Sequence, residues 1–315
     1  MRVAGVPHFF LFRRFSPVST TRDFLGPFQL VRMIRSGTTT QVWEALQQTD
    51  RGARERVALK VLTREFCKDK EQIEYLKHEV NVGKGLDHPN VIKIFDYHEM
   101  YSLPFIAMQL FNARNLKIEL RERPNEIAIN LPGIIRKCAE GIRYLHECGW
   151  VHCDIKPDNF LADEQGAVKL IDFSIATAMP KKGLAGLFGG AKRPKTIRGT
   201  RSYMSPEQIR RQKLDERSDI YSFGCVVFEL LAGRAPYSAT NPDDLLNKHL
   251  FAPIPNLLAV SGATTELAKL VGRMLSKEPD QRPQSMSEFI IEFSRTGVFR
   301  AGKRPTGLVK DVDAD

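Results

Sequence analysis

The stretch Trp150 to Leu161, W-V-H-C-D-I-K-P-D-N-F-L, decides the reading of this chain. It places a carboxylate at Asp154, a lysine two residues on at Lys156 and an amide at Asn159 in a tight loop between a helix and a short strand. Such a loop can aim an acceptor for a hydroxyl proton, a cation for a phosphoryl oxygen and a metal ligand at one point. Taken alone, it also fits a charged turn. Further on, Asp172 ends the apolar strand Val168 to Ile171. With Asn159 it can complete a hard-cation site, because Mg²⁺ prefers a few oxygen ligands plus substrate phosphates. Upstream, Val57-Ala58-Leu59-Lys60 puts a lysine on an otherwise apolar strand, facing a cleft if the alternation holds. A buried ammonium needs a partner, and Glu79 is the natural candidate.

Outward from these residues the chain changes character near residue 110. Before it, Phe28 to Ile34, Gln41 to Leu46, Val57 to Leu62, Val91 to Tyr97 and Phe105 to Leu110 are short β-branched or aromatic runs that predict strands. One helix is predicted among them, from about Asp69 to Lys84, with Ile73, Leu76, Val80 and Val82 on its apolar face and Asp69 as cap. After residue 110 helices dominate. Ile134, Ile135, Cys138, Ala139, Ile142 and Leu145 recur at helical spacing, as do Ile220, Phe223, Val226, Val227, Leu230 and Leu231 before Gly233.

Composition narrows the function classes. The chain has 315 residues, 42% of them hydrophobic, enough for a sizeable core. Its five cysteines form no C-x-x-C pair, which argues against a zinc site or a secreted disulfide framework and for a reducing compartment. No run approaches eighteen apolar residues, so no membrane span is expected. Residues 1–24 carry Arg2, Arg13, Arg14 and Arg22 and no acid before Asp23. They read as a disordered basic extension in preference to an organelle-targeting peptide. Residues 298–315 read as a polar tail. The net charge of +10 lies largely in that extension and in Lys181 to Arg201, which is rich in glycine and has no aromatics interleaved at stacking spacing. It therefore predicts a solvated loop attracted to acidic protein substrates, with no nucleic-acid partner.

In order and spacing these segments resemble the eukaryotic-type serine/threonine protein kinase family over residues 25–297. The resemblance implies an α+β, two-lobed protein kinase fold. A small antiparallel β-sheet lobe with one helix (25–110) would precede a larger, mainly helical lobe (111–297). It implies ATP with Mg²⁺, or Mn²⁺ in its stead, and protein substrates with serine or threonine acceptors. Asp154, Lys156 and Lys60 take the catalytic positions, and Asn159 and Asp172 those of the metal ligands. The nucleotide-binding set is Ile34, Gly37, Val42, Ala58, Lys60, Glu79, Met108, Gln109, Phe111, Asn159, Leu161 and Asp172, with Met108 behind the adenine and Gln109 to Phe111 as hinge. Lys60 would hold phosphates and pair with Glu79. The lysine of D-x-K-P-x-N is similar to serine/threonine kinases and unlike tyrosine kinases. Gly199 to Glu207 resembles the substrate-docking loop, with Glu207 paired to Arg282, and Asp219 the aspartate bracing the catalytic loop. His152 and Phe173 are expected to pack, and Cys148 and Cys153 to serve as small hydrophobes. A cytoplasmic enzyme with a regulatory protein among its partners is the expectation; its oligomeric state stays open.

Departures from that pattern carry information about this chain. In Ile34-Arg35-Ser36-Gly37-Thr38-Thr39-Thr40-Gln41-Val42 only the middle family glycine survives, which weakens nucleotide binding without excluding it. Ser174 follows Asp172-Phe173 where the family has glycine, removing a cheap backbone flip. Gly83 and Gly85 predict fraying at the end of the helix that carries Glu79. Cys153 stands where most members have an arginine that meets an activation-loop phosphate, the non-RD form. Activity independent of loop phosphorylation is the expectation, with Thr196 and Thr200 as candidate autophosphorylation sites and Thr200 favoured as a structural contact. A pseudokinase or nucleotide-gated scaffold and a small-molecule phosphotransferase are the alternatives.

Overall fold

The computed structural model describes residues 24–48, 52–179 and 199–299. The basic extension before Phe24, the stretch 180–198 with Thr196 and most of the basic loop, and the tail from residue 300 lie outside the described residues. The chain divides into two compact units: residues up to Leu76 with Phe95–Leu110, and Lys77–Ile94 with the residues from Phe111 on.

In the first unit, β1 (Phe24–Leu25), β2 (Phe28–Ser36), β3 (Thr40–Gln48), β4 (Arg54–Leu62), β5 (Ile94–Met100) and β6 (Leu103–Gln109) form one sheet in the order β1-β2-β3-β4-β6-β5. Alternation makes it two-faced. Phe28, Trp43, Ala45, Val57, Leu59, Val61, Phe105 and Ala107 fill the core on one face. Val42 and Lys60 are cross-strand partners, as are Ala58 and Met108, so these four share the other face. Tyr101 and Ser102, at φ 54° and 59°, turn β5 into β6 as a two-residue hairpin. The strand expected at Val91 begins only at Ile94; Val91 makes an isolated bridge to Leu170 instead.

Helix α1 (Lys70–Gly83) starts on Asp69, whose Oδ1 accepts from the amides of Glu71 and Gln72 at 2.8 and 3.2 Å. Its residues from Lys77 on belong to the second unit. The glycine expected to weaken the helix end has a packing reason: a Cβ on Gly83 would lie 2.5 Å from Ile94 Cδ1, so a larger residue would require the isoleucine to move.

The second unit is built on α2 (Leu116–Glu122), α3 (Pro124–Glu147), α4 (Pro206–Ile209), α5 (Glu216–Ala232), α6 (Pro242–Phe251), α7 (Leu257–Val260), α8 (Thr265–Met274) and α9 (Met286–Arg295). Short strands β7 (Arg114–Asn115), β9 (Phe160–Ala162) and β10 (Val168–Leu170) form one ribbon, and β8 (Trp150–Val151) pairs with β11 (Thr177–Ala178). Helix α5 is apolar nearly all round and buried from Ser218 to Ala232, as a central core helix must be. Asp215 caps its start, and Gly233 at φ 71° ends it in the left-handed conformation. Its neighbours α3 and α8 pack on it, and α9 packs on both.

Candidate active site

The loop after β8 is held from below by a carboxylate. Asp219, buried in the first turn of α5, accepts from the His152 amide at 2.7 Å, the Cys153 amide at 2.9 Å and His146 Nε2 at 2.8 Å. A charge taken out of water is tolerable only with such a full set of donors. The contacts also hold Cys153 at φ 68°, a strained conformation for a residue with a side chain. Cys153 is buried, and burial followed by the charge of Asp219 pushes its thiol pKa far up, so the sulfur is inert. Cys148 differs from the expectation: it is exposed at the end of α3.

Above this brace, the side chains of Asp154, Lys156 and Asn159 meet. Asp154 Oδ2 pairs with Lys156 Nζ at 2.6 Å and accepts from Asn159 Nδ2 at 3.2 Å. Its Oδ1 accepts from both the amide and the hydroxyl of Thr200 at 2.9 Å, while Lys156 donates to that hydroxyl at 2.8 Å. Thr200 is therefore a structural contact of the catalytic loop. His152 does more than pack. Its Nδ1 accepts from the Asp154 amide at 3.2 Å, so its Nε2 carries the proton given to the Ile171 carbonyl at 3.1 Å. One ring thus positions Asp154 and the residue before Asp172, with Phe173 edge-on against it.

Asn159 and Asp172 are brought side by side by the ladder of β9 and β10 and by the Ile171 amide, which donates to the Asn159 carbonyl at 3.0 Å. Asn159 Nδ2 is committed to Asp154, which leaves its Oδ1 as the atom to offer a hard cation. An amide oxygen beside a carboxylate is a donor set that suits Mg²⁺ or Mn²⁺. Asp172 sits at φ 69°, and Ser174 Oγ donates to its Oδ1 at 2.7 Å. The serine in the family glycine's place therefore grips the Asp172 carboxylate. Leu161, half-buried on β9, lies opposite Asn115.

In the first unit, Ile34 lies on β2 and Gln109 ends β6. The loop between β2 and β3 closes on Gly37, whose amide donates to the Thr40 carbonyl at 2.8 Å. A Cβ on Gly37 would sit 3.2 Å from that oxygen. Thr63, which no motif marks, donates from its amide to the Thr39 carbonyl at 2.9 Å and from its hydroxyl to the Thr38 carbonyl at 3.4 Å. Glu79, Met108 and Phe111 lie on α1, on β6 and just beyond β6.

The docking segment is anchored deeply. Arg282 grips Glu207 with two nitrogens at 2.7 and 3.0 Å, both groups buried, as expected from the resemblance. Gly199, at φ 113°, lets the chain pass the Cys153 carbonyl, which Gln208 Nε2 also reaches at 2.7 Å. Tyr203 donates to Glu229 Oε2 at 2.6 Å, and Lys117 meets the other oxygen at 2.5 Å. Burial and the Glu229 charge push the tyrosine pKa far up, so it remains a donor. Thr63, Gln208 and Lys117 carry no sequence signal, because each acts through a distant backbone or side chain.

Comparison with known proteins agrees with this geometry. The family model for the protein kinase domain matches residues 28–291. The serine/threonine-protein kinase PknH of Mycobacterium bovis is 31% identical over 274 residues, covering 87% of this chain and 44% of that protein. PknB of Mycolicibacterium smegmatis, also a serine/threonine-protein kinase, is 30% identical over 258 residues, covering 80% and 40%. A probable serine/threonine-protein kinase of Bifidobacterium longum is 28% identical, covering 86% and 35%. The chain spans less than half the length of these curated relatives. Because the match runs from β2 into α9 and takes in the braced loop around Asp154, the chain belongs to the protein kinase domain family.

Proposed function

We propose that this chain transfers the terminal phosphate of ATP to serine or threonine hydroxyls of protein substrates, its own included. The observation that carries the reading is the ring of contacts that fixes Asp154 against Lys156, Asn159 and Thr200. In this role Asp154 orients the acceptor hydroxyl and takes its proton, and Lys156 steadies the phosphoryl group in flight. In the same reading Lys60 serves the nucleotide phosphates, and Glu79 is the carboxylate that the family pattern assigns to it. Ile34, Val42, Ala58, Met108, Gln109, Phe111 and Leu161 are the residues that the reading assigns to the nucleotide base. Asn159 and Asp172 would hold Mg²⁺ or Mn²⁺, which bridges the phosphates and offsets their charge when bound.

The relatives are named as serine/threonine-protein kinases, and Lys156 supports the same choice here. No helix among the described residues is long and apolar enough to cross a membrane; a cytoplasmic setting and a regulatory protein partner belong to the proposal. Radiolabelled transfer to a basic protein tests the reading. Asp154→Asn should lower it by about 10²- to 10⁴-fold, whereas equal labelling by both proteins would favour a pseudokinase. The grip of Ser174 on Asp172 has its own check. Ser174→Ala should raise the Mg²⁺ concentration for half-maximal transfer several-fold, and an unchanged value would remove that role.

A further inference from the structure

His78, which no motif marks, lies on α1 one residue before Glu79. A carbonyl can only accept, so His78 Nε2 donates to the Ala176 oxygen, at 2.7 Å. The same ring stands edge-on to Trp150, with centroids 6.0 Å apart. Both contacts reach one small structure. Ala176 leads into β11, and β11 pairs with β8 through Thr177 with Val151 and Ala178 with Trp150. On the far side of Glu79, Gly83 is pressed against Ile94. The second half of α1 is thus pinned at two points, with buried Glu79 between them. The segment from Asp172 is fixed in turn at Ser174 Oγ on Asp172, at the Ala176 amide on the Phe173 carbonyl, 3.1 Å, and at His78.

We propose that His78 is a positioning residue for phosphoryl transfer. It ties the segment after the metal-binding aspartate to α1 by a hydrogen bond built into the chain, so the order of this segment needs no phosphate. Cys153 fits this design, because its buried thiol offers a phosphate nothing to bind. The contact acts on both partners. It holds the strand entry behind Asp172, and it sets the height and rotation of the helix turn that presents Glu79.

The inference rests on the kinase reading, and its test separates the two. His78→Phe keeps a ring for Trp150 and removes the donor, while His78→Gln keeps an N–H within reach of Ala176. Hydrogen exchange is followed on the full chain in peptides covering 172–179 and 77–83, beside steady-state kinetics and the thermal midpoint. His78→Phe should speed exchange in both peptides by about two- to tenfold, the factor that one net hydrogen bond supplies. It should lower kcat by a similar factor and leave the substrate KM unchanged, and His78→Gln should restore most of both. A lower thermal midpoint with exchange and kcat unchanged would overturn the proposal. So would His78→Gln behaving like His78→Phe. Exchange needs no catalysis, so an inactive wild type would sink the kinase reading while the exchange result still decides whether His78 holds the segment.

Discussion

The loop of residues 34–42 and the loop of residues 150–161 both serve the phosphates in our reading, and they are built on different principles. The first is a hairpin tip closed by the Gly37 amide and backed by Thr63. Its work is done by backbone, so the side chains around Gly37 can drift to serine and threonine while the turn survives. The second hangs on side chains from distant parts of the chain: Asp219 on α5, Gln208 on α4 and Thr200 before it. Each of those groups has one geometry that satisfies its partners, and the loop keeps every residue of the family pattern that carries chemistry. The one replacement in it, Cys153, falls at a position whose backbone alone is used by the brace.

That contrast can be broken from its strong side first. Asp219→Ala leaves two amides and His146 without their shared acceptor and should cost about 3–5 kcal/mol in denaturant unfolding. A loss below about 1 kcal/mol would mean that the loop does not depend on its brace. Acid should act on the same unit through His249, which is buried beside the Tyr221 hydroxyl of α5. Burial, helped by the charge of Lys277, holds its imidazole pKa down to about 4 from an ordinary 6.5. The unfolded chain then binds the extra proton between these values. Stability therefore rises with pH across the window and is lost as pH falls from 6.5 toward 4, by up to about 3 kcal/mol. Urea titrations at stepped pH should show this slope and its flattening in His249→Gln; identical slopes would rule His249 out. The weak side should yield least. Thr63→Val removes one exposed hydroxyl contact and keeps the backbone one, so stability should move by less than about 1 kcal/mol. The KM for ATP should rise, though by less than about fivefold. A larger loss would show that the hairpin tip depends on Thr63 as heavily as the catalytic loop depends on Asp219.

The same difference explains what could be read from sequence. Strands β2 to β4, helix α5 and the cap at Asp69 announce themselves by period and by local residue type and are legible within a few residues, whereas only the second half of α3 shows its period and its start at Pro124 does not. The pairing of Glu207 with Arg282 and the brace at Asp219 were legible too, because the motif order names them. Contacts made by ordinary residues with distant partners were not. His78 reads as one more polar position on a helix face, and Thr63 as the end of a strand. Gly83 reads as a weak helix end until Ile94 is seen against it. Val91 looked like the start of a strand because its side chain is apolar, whereas its backbone is used in a single bridge to Leu170.

The central claim is phosphoryl transfer by a loop whose order is built in. It is tested most directly by treating the purified chain with phosphatase, confirming by mass spectrometry that no phosphate remains, and measuring initial transfer to a basic protein. The account predicts phosphoserine or phosphothreonine on the product from the first turnovers, without a lag, and at least about 100-fold less with Asp154→Asn. A dephosphorylated wild type that transfers no more than Asp154→Asn would contradict it.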